Sequence, residues 1–404
     1  MIGTGRNSGP LHLGMSRRFL PCFFTLAAAF TAVFLAGCAV PEKPRWIPAA
    51  ARFEGRPLRL IADTGAEDAV IWTSTAERYG WSIVHPPPNT PKRPGMALLG
   101  ITAPGTLHAM GATFPQTRLR TFAIPKGLRR SLSIDGVLGW AKFRDRLFRI
   151  DAARRRLVPI ASPPRLDDGW QKFRIYREAR VLEIELLVDG RMARLLIDTG
   201  SEFGLDMPRE TWGHWLAAHP EASRTVGSFF TPSIGRPALR EVSWAPSFDL
   251  GPLRITDLLI EHQPDEKWKT GSYAGKIGLA GLERLDCVVD GVRGEVYLRP
   301  KRTSSPPPDH NRLGATFHPA SFEGKDWIAH VVPGSPAARA GIRDGDVLLS
   351  IGAAQISGNP SPSPSIFFRA RAGTRLELTL RRGKETHRAQ VTLADLLGPA
   401  VKFP

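Results

Sequence analysis

The stretch Leu195-Leu196-Ile197-Asp198-Thr199-Gly200-Ser201 runs an apolar strand straight into a short polar turn that carries a carboxylate. Upstream of it, Val181 to Leu186 alternates with period two. Asp189-Gly190 supplies a hairpin turn, and Ala193 to Ile197 returns as the partner strand. A second copy stands at Leu60-Ile61-Ala62-Asp63-Thr64-Gly65-Ala66, preceded by Phe53-Glu54-Gly55-Arg56 as its own turn. The copies match in register through Gly55-Arg56 against Gly190-Arg191 and Arg59 against Arg194. Asp and Gly recur at plain turns as well. Two such aspartates in register predict one paired-carboxylate site.

Further repetition closes each copy. Val137-Leu138-Gly139 follows the first turn and Leu279-Ala280-Gly281 the second, within Ile277 to Leu282. A repeat of this length implies duplicated lobes. The first lobe is expected to end in a helix around Ala141 to Leu147 and a hairpin through Phe148 to Ile160, before the break Ala161-Ser162-Pro163-Pro164.

These motifs resemble those of the retropepsin-like and pepsin-like aspartic proteases, in which apolar-apolar-Asp-Thr-Gly-Ser/Ala is answered later in each lobe by apolar-apolar-Gly. The resemblance covers residues 52–300. It implies a mainly β chain with two pseudo-symmetric acid-protease β-barrel lobes. It also implies Asp63 and Asp198 as the catalytic pair, with Thr64, Gly65, Thr199, Gly200 and Ser201 supporting the loops. Two carboxylates at short range cannot both ionise comfortably, so they hold one proton between them; aspartic proteases are themselves the standard illustration of this split titration. The ionised member takes a proton from water while the protonated one hydrogen-bonds the scissile carbonyl. The chain departs from the family pattern at Ala62, at Ala280 and in having no tyrosine in the first-lobe flap. The alternative is a protease-like lipoprotein that binds peptides without cleaving them. Other chemistries lack their motifs: there is no Gly-x-Ser-x-Gly elbow or His-Glu-x-x-His, and the spacing of His214 and His219 suits no usual zinc pair. No cofactor or metal is implied.

The N-terminus follows a different pattern. Arg17-Arg18 precede an apolar run, Phe19 to Ala36, that ends in Leu35-Ala36-Gly37-Cys38. This resembles the lipobox of bacterial lipoproteins, which implies a signal peptide over 1–37 and a lipid on Cys38. Ala39 in place of Asp points by analogy to the outer membrane, so the expected location is the cell envelope, facing the periplasm. Residues 38–50 read as a tether. Of three cysteines, Cys22 leaves with the signal and Cys287 sits in an apolar run as a small hydrophobe. The net charge is +17, falling to about +14 once Arg6, Arg17 and Arg18 are removed, a basic surface compatible with anionic headgroups or cell-wall polymers. No nucleic-acid module accompanies it.

The expected domains are lobe 1 over 51–161, lobe 2 over 170–300, a Pro-rich linker over 301–311 and a third unit over 312–398. In that unit Arg312-Leu313-Gly314-Ala315-Thr316-Phe317 and Val331-Val332-Pro333-Gly334-Ser335-Pro336-Ala337-Ala338 resemble a PDZ domain, with Gly345-Asp346-Val347-Leu348 as its later turn. The resemblance implies a β-sandwich with two helices that takes a peptide C-terminus at a sheet edge. Leu313, Gly314 and Phe317 would line the carboxylate pocket, and Ile366 would contact the peptide from the later helix. Pro362 and Pro364 shorten the segment where that helix should lie. The other reading is a PDZ fold that only packs on the lobes. The implied partners are peptide or unfolded-protein substrates, a peptide C-terminus and, through Cys38, the membrane, with the chain a monomer because a duplicated site needs no second copy.

Overall fold

The computed structural model describes residues 46–85, 98–123, 134–188, 190–230, 237–262, 273–302, 309–319, 325–356 and 364–398. Cys38 and the segment 1–37 lie outside them. All of these residues belong to one unit, Pro44–Pro404. No helix among them is long and apolar enough to cross a membrane.

Alternation sets the first hairpin. Strand Pro48–Phe53 turns Ala49, Ala51 and Phe53 inward, and strand Arg56–Asp63 buries Leu58, Leu60 and Ala62. Glu54 and Gly55 both take positive φ, 49° and 73°, the two-residue turn whose twist suits a hairpin. Residues 48–50, expected in the tether, are thus strand and pair with Ile61, Leu60 and Arg59.

Strand Arg56–Asp63 then runs parallel to Gly136–Gly139, with Asp63 opposite Gly139, and Gly136–Gly139 also pairs antiparallel with Val70–Trp72. The second copy repeats this. Arg191–Ile197 runs parallel to Tyr273–Ile277, which pairs antiparallel with Leu205–Asp206. The first arrangement lies in a nine-stranded sheet and the second in a twelve-stranded one. Both stacks feed one apolar core that includes Leu60, Leu138, Trp140, Leu195, Ile197 and Ile277. Each large side chain so buried contributes about 1.5–3 kcal/mol.

Three expectations change. The helix around Ala141 to Leu147 is a single 3₁₀ turn, Trp140–Lys142, and Leu147 already belongs to strand Leu147–Asp151. The hairpin Leu147–Asp151 with Arg156–Pro159 does not close the first lobe's sheet. It pairs with Leu285–Asp290 in the twelve-stranded sheet, Leu147 opposite Asp290 and Ile150 opposite Cys287. Phe148 and Ile150 need a covered face, and the apolar strand Leu285–Asp290 supplies it; the Pro-rich break after 160 is therefore not where the packing divides.

The closing element of the second copy also shifts. Trp140 N–H donates to Ala66 O, and Leu279 N–H donates to Ser201 O in the same place. Gly278 is thus the counterpart of Gly139, and Ile277-Gly278 matches Leu138-Gly139. A Cβ on Gly139 would collide with Asp68 O, and one on Gly278 would stand 2.7 Å from Phe203 O. Leu279–Leu282 is a helical turn beyond the motif. The Ala280 departure is therefore a register artefact: the position before the glycine holds the branched Ile277.

The third sheet runs Ala315–His318, Trp327–Val331, Val347–Ile351, Arg375–Arg382 and Glu385–Thr392, with Ala354–Gln355 on its third strand. It has a separate core that includes Leu313, Phe317, Phe368 and Leu380. One helical turn, Pro336–Arg339, is capped by Ser335 Oγ, which accepts the Ala338 N–H. The later helix is the 3₁₀ segment Pro364–Arg369. Pro364 brings no N–H to that turn, and 3₁₀ geometry suits such short pieces.

Candidate functional site: two facing Asp-Thr-Gly turns

Thr64 and Thr199 are fully buried, and a buried hydroxyl must find partners. Each finds them on the opposite turn. Thr64 Oγ1 donates to Ile197 O (2.5 Å) and Thr199 Oγ1 donates to Ala62 O (2.7 Å). In return Thr199 N–H donates to Thr64 Oγ1 (2.9 Å) and Thr64 N–H to Thr199 Oγ1 (3.0 Å). These four bonds clamp residues 135 apart in sequence into one symmetric contact. Outside them, Ala62 N–H donates to Ile47 O and Ile197 N–H to Leu182 O, both at 2.9 Å.

The clamp brings the carboxyls together. Gly65 N–H donates to Asp63 Oδ1 (2.8 Å) and Gly200 N–H to Asp198 Oδ1 (3.0 Å), so each aspartate is oriented by its own turn. The glycines are required by the neighbour across the axis. A Cβ on Gly65 would lie 2.6 Å from the Asp198 carboxyl, and one on Gly200 would overlap the Asp63 carboxyl. Both aspartates are half-buried. Burial, then the Asp198 charge, hold the Asp63 carboxyl well above the usual aspartate range, and a hydrogen bond with Asp198 adds to this. The Gly65 and Ala66 amides pull the other way. Such a pair retains a proton where a lone aspartate would have lost it, leaving one acid and one base in the same place.

Ser201, next after the second turn, is buried, and its Oγ has no hydrogen-bond partner among the described residues; Ala66 stands in its place on the first turn. Behind the second turn lies a charge cluster. Gly204 N–H donates to Glu261 Oε1 (2.9 Å), Arg240 Nη1 pairs with Glu261 Oε2 (3.2 Å), and Arg240 lies over the Phe203 ring. Lys276 pairs with Asp206 at 3.6 Å. Burial pushes Glu261 up and Arg240 down, while their mutual attraction opposes both shifts. The signal for Glu261 is a lone acid directly after the apolar run Leu258-Leu259-Ile260. Cys287 is fully buried, and burial pushes its thiol up to about 12.

In the third unit, Leu313 and Phe317 are sealed in the core rather than open to a pocket, Phe317 against Phe368 at 5.7 Å between ring centroids. Gly314 has a φ of 70° and packs against Ser335 and Leu396. Ile366, in contrast, is 64% exposed. The Ala315–His318 strand ends its sheet.

A chain segment of 70 residues is 36% identical to Serine protease HTRA1 of Xenopus tropicalis; it amounts to 17% of this chain and 15% of that protein. So short a share relates a part of this chain to a part of a protease. Residues 312–393 match the PDZ domain family, and the C-terminal unit, with its five-strand path, capped helical turn and terminal strand, is accordingly a PDZ domain.

Proposed function

We propose that the chain is an aspartic endopeptidase in which Asp63 and Asp198, each from its own lobe, activate one water between them. The observation that carries this reading is the reciprocal Thr64–Thr199 clamp, which sets the two carboxyls against each other with Asp63 held protonated beyond the usual range. The ionised carboxylate removes a proton from water as the oxygen attacks the peptide carbonyl. The shared proton meets the developing oxyanion, and the tetrahedral species collapses as a proton passes to the leaving amine. The substrates in this reading are extended peptides or unfolded protein, and the PDZ domain recruits or regulates. Lipidation at Cys38, placement in the outer membrane facing the periplasm and action as a monomer are parts of the same proposal. The serine chemistry named for HTRA1 belongs to that protein, of which this chain matches 15%.

Asp63→Asn and Asp198→Asn are tested separately against a denatured protein at mildly acidic pH. Each should lower turnover by about 10²–10⁴-fold, the share of a general acid or base, and a pepstatin-type compound should block the wild type. Undiminished turnover in either variant sinks the paired mechanism. Peptide binding with no turnover in the wild type favours the non-catalytic reading.

A further inference from the structure

PDZ recognition needs two sets of free backbone groups: amides in the loop before the terminal strand, for the peptide's carboxylate, and edge carbonyls, for its N–H groups. In this chain both are already engaged by one side chain. Asn311 Oδ1 accepts the amides of Leu313 (2.9 Å) and Gly314 (3.3 Å). Asn311 Nδ2 donates to Ala315 O (2.7 Å). The carboxamide thus offers a carbonyl where a carboxylate oxygen would lie and an N–H where the last peptide N–H would lie. Its orientation is fixed by chemistry, since the oxygen faces two donors and the nitrogen two acceptors.

The second acceptor is what gives the contact reach. Asn311 Nδ2 also donates to Val226 O (2.9 Å), in strand Arg224–Phe230 of the twelve-stranded sheet. Thr225 Oγ1 donates back to Asn311 O (2.8 Å), and Thr316 Oγ1 to Ser228 Oγ (3.2 Å). Ser223 Oγ donates to Leu396 O (2.5 Å), whose own amide donates to His310 Nε2 (3.1 Å). Ser223, Thr225, Thr316 and Leu396 are all buried, so the bonds lie in a sealed seam. Strand Arg224–Phe230 pairs with Pro237–Leu250, which carries Arg240, the partner of Glu261 behind the second Asp-Thr-Gly turn.

We propose that Asn311 is a built-in plug of the PDZ carboxylate loop. An extended peptide with a free C-terminal carboxylate and an apolar last residue binds by displacing this carboxamide, and in doing so releases strand Arg224–Phe230 from the PDZ domain. Ile366, exposed on the 3₁₀ segment whose Phe368 O accepts the Arg312 N–H, supplies the apolar contact. The regulatory consequence, that such a peptide loosens the hairpin leading to Arg240 and so changes turnover, rests on the proteolytic reading above. The plug itself does not.

The test uses the full chain and fluorescein-labelled hexapeptide pools ending in Ala, Val, Leu or Phe, each as free acid and as C-terminal amide. Asn311→Ala should bind the free acids about tenfold more tightly than wild type, as the bonds a peptide must displace are gone, and should leave the amides weak. Affinity unchanged or lost in this variant, or acids and amides bound alike, overturns the plug; lost affinity would mean that Asn311 only shapes the loop. A second measurement needs no variant. Amides of residues 224–230 in the wild-type chain should exchange faster with saturating free acid than with amide, and equal exchange overturns the release. Neither readout involves turnover, so both are separable from failure of the Asp63/Asp198 mechanism.

Discussion

The two Asp-Thr-Gly turns share a tripeptide, a supporting strand and a closing glycine, yet they are held from behind in different ways. The Asp198 turn leans on groups taken out of water: Glu261 and Asp206 side chains are 2% and 1% exposed, and their partners Arg240 and Lys276 18% and 14%. Flanking the Asp63 turn the acids stay partly in water: Glu67, 35% exposed, pairs with the open Arg180, and Asp68, 32% exposed, pairs with Lys142 at 3.7 Å. The buried acid of the first lobe, Asp135, pairs with Arg78 at the far end of the closing strand, away from the turn. Surface pairs contribute about 0–1 kcal/mol, whereas breaking a buried pair costs about 3–5. One half of the symmetric clamp is therefore braced electrostatically and the other mainly by backbone bonds and by its twin.

That asymmetry can be broken in order of size. Arg240→Met strands Glu261 and should destabilise the chain by about 3–5 kcal/mol, whereas Arg180→Met, at the exposed pair with Glu67, should cost about 0–1 kcal/mol; denaturant unfolding compares them, and equal losses would remove the distinction. Next come the clamps. Thr64→Val and Thr199→Val each orphan a buried carbonyl and amide, for about 1–3 kcal/mol apiece, and because the two hydroxyls also touch each other at 3.4 Å the double variant should fall short of the sum.

The third test is a slope against pH. A carboxyl raised in the folded state binds its proton more tightly there than in the unfolded chain. The contribution of Asp63 is thus fully present below the ordinary aspartate range and is lost as pH rises through its raised value. Asp63→Asn should flatten that decline and be relatively stabilised at neutral pH in thermal melts; parallel curves would contradict the raised carboxyl. The smallest effect is expected at the one chemical difference within the turns. Ser201→Ala removes a hydroxyl that bonds nothing among the described residues, so its stability should stay within about 0.5 kcal/mol of wild type.

What could be read in the sequence was whatever is written locally. The Asp-Thr-Gly turns and the Glu54-Gly55 hairpin carry their geometry in adjacent residues, as do the PDZ strand and the Ser335-Pro336 cap. The closing register is not legible because Ile277-Gly278 and Leu279-Ala280-Gly281 both spell apolar-Gly, and it takes the pairing of Ile197 with Ile277 and the bond from Leu279 N–H to Ser201 O to separate them. The sheet that takes the hairpin 147–159 is not legible either, since alternation says which face is buried and not against what. The end of the tether was missed because Pro48-Ala49-Ala50 has weak strand propensity and is held by its partner strand. Asn311 gave no signal at all, being an ordinary turn residue until a strand 85 residues away is brought to its amide.

The crossing hairpin sets a timetable for synthesis. Leu147–Asp151 leaves the ribosome with its own lobe, but its partner strand Leu285–Asp290 is made well over a hundred residues later. Until then Phe148 and Ile150 have no second sheet to cover them, and closing so long a loop is slow. The first lobe therefore waits, with an apolar edge exposed, for the second to be completed. Expressed alone up to residue 161, it should aggregate rather than rest as an independent domain.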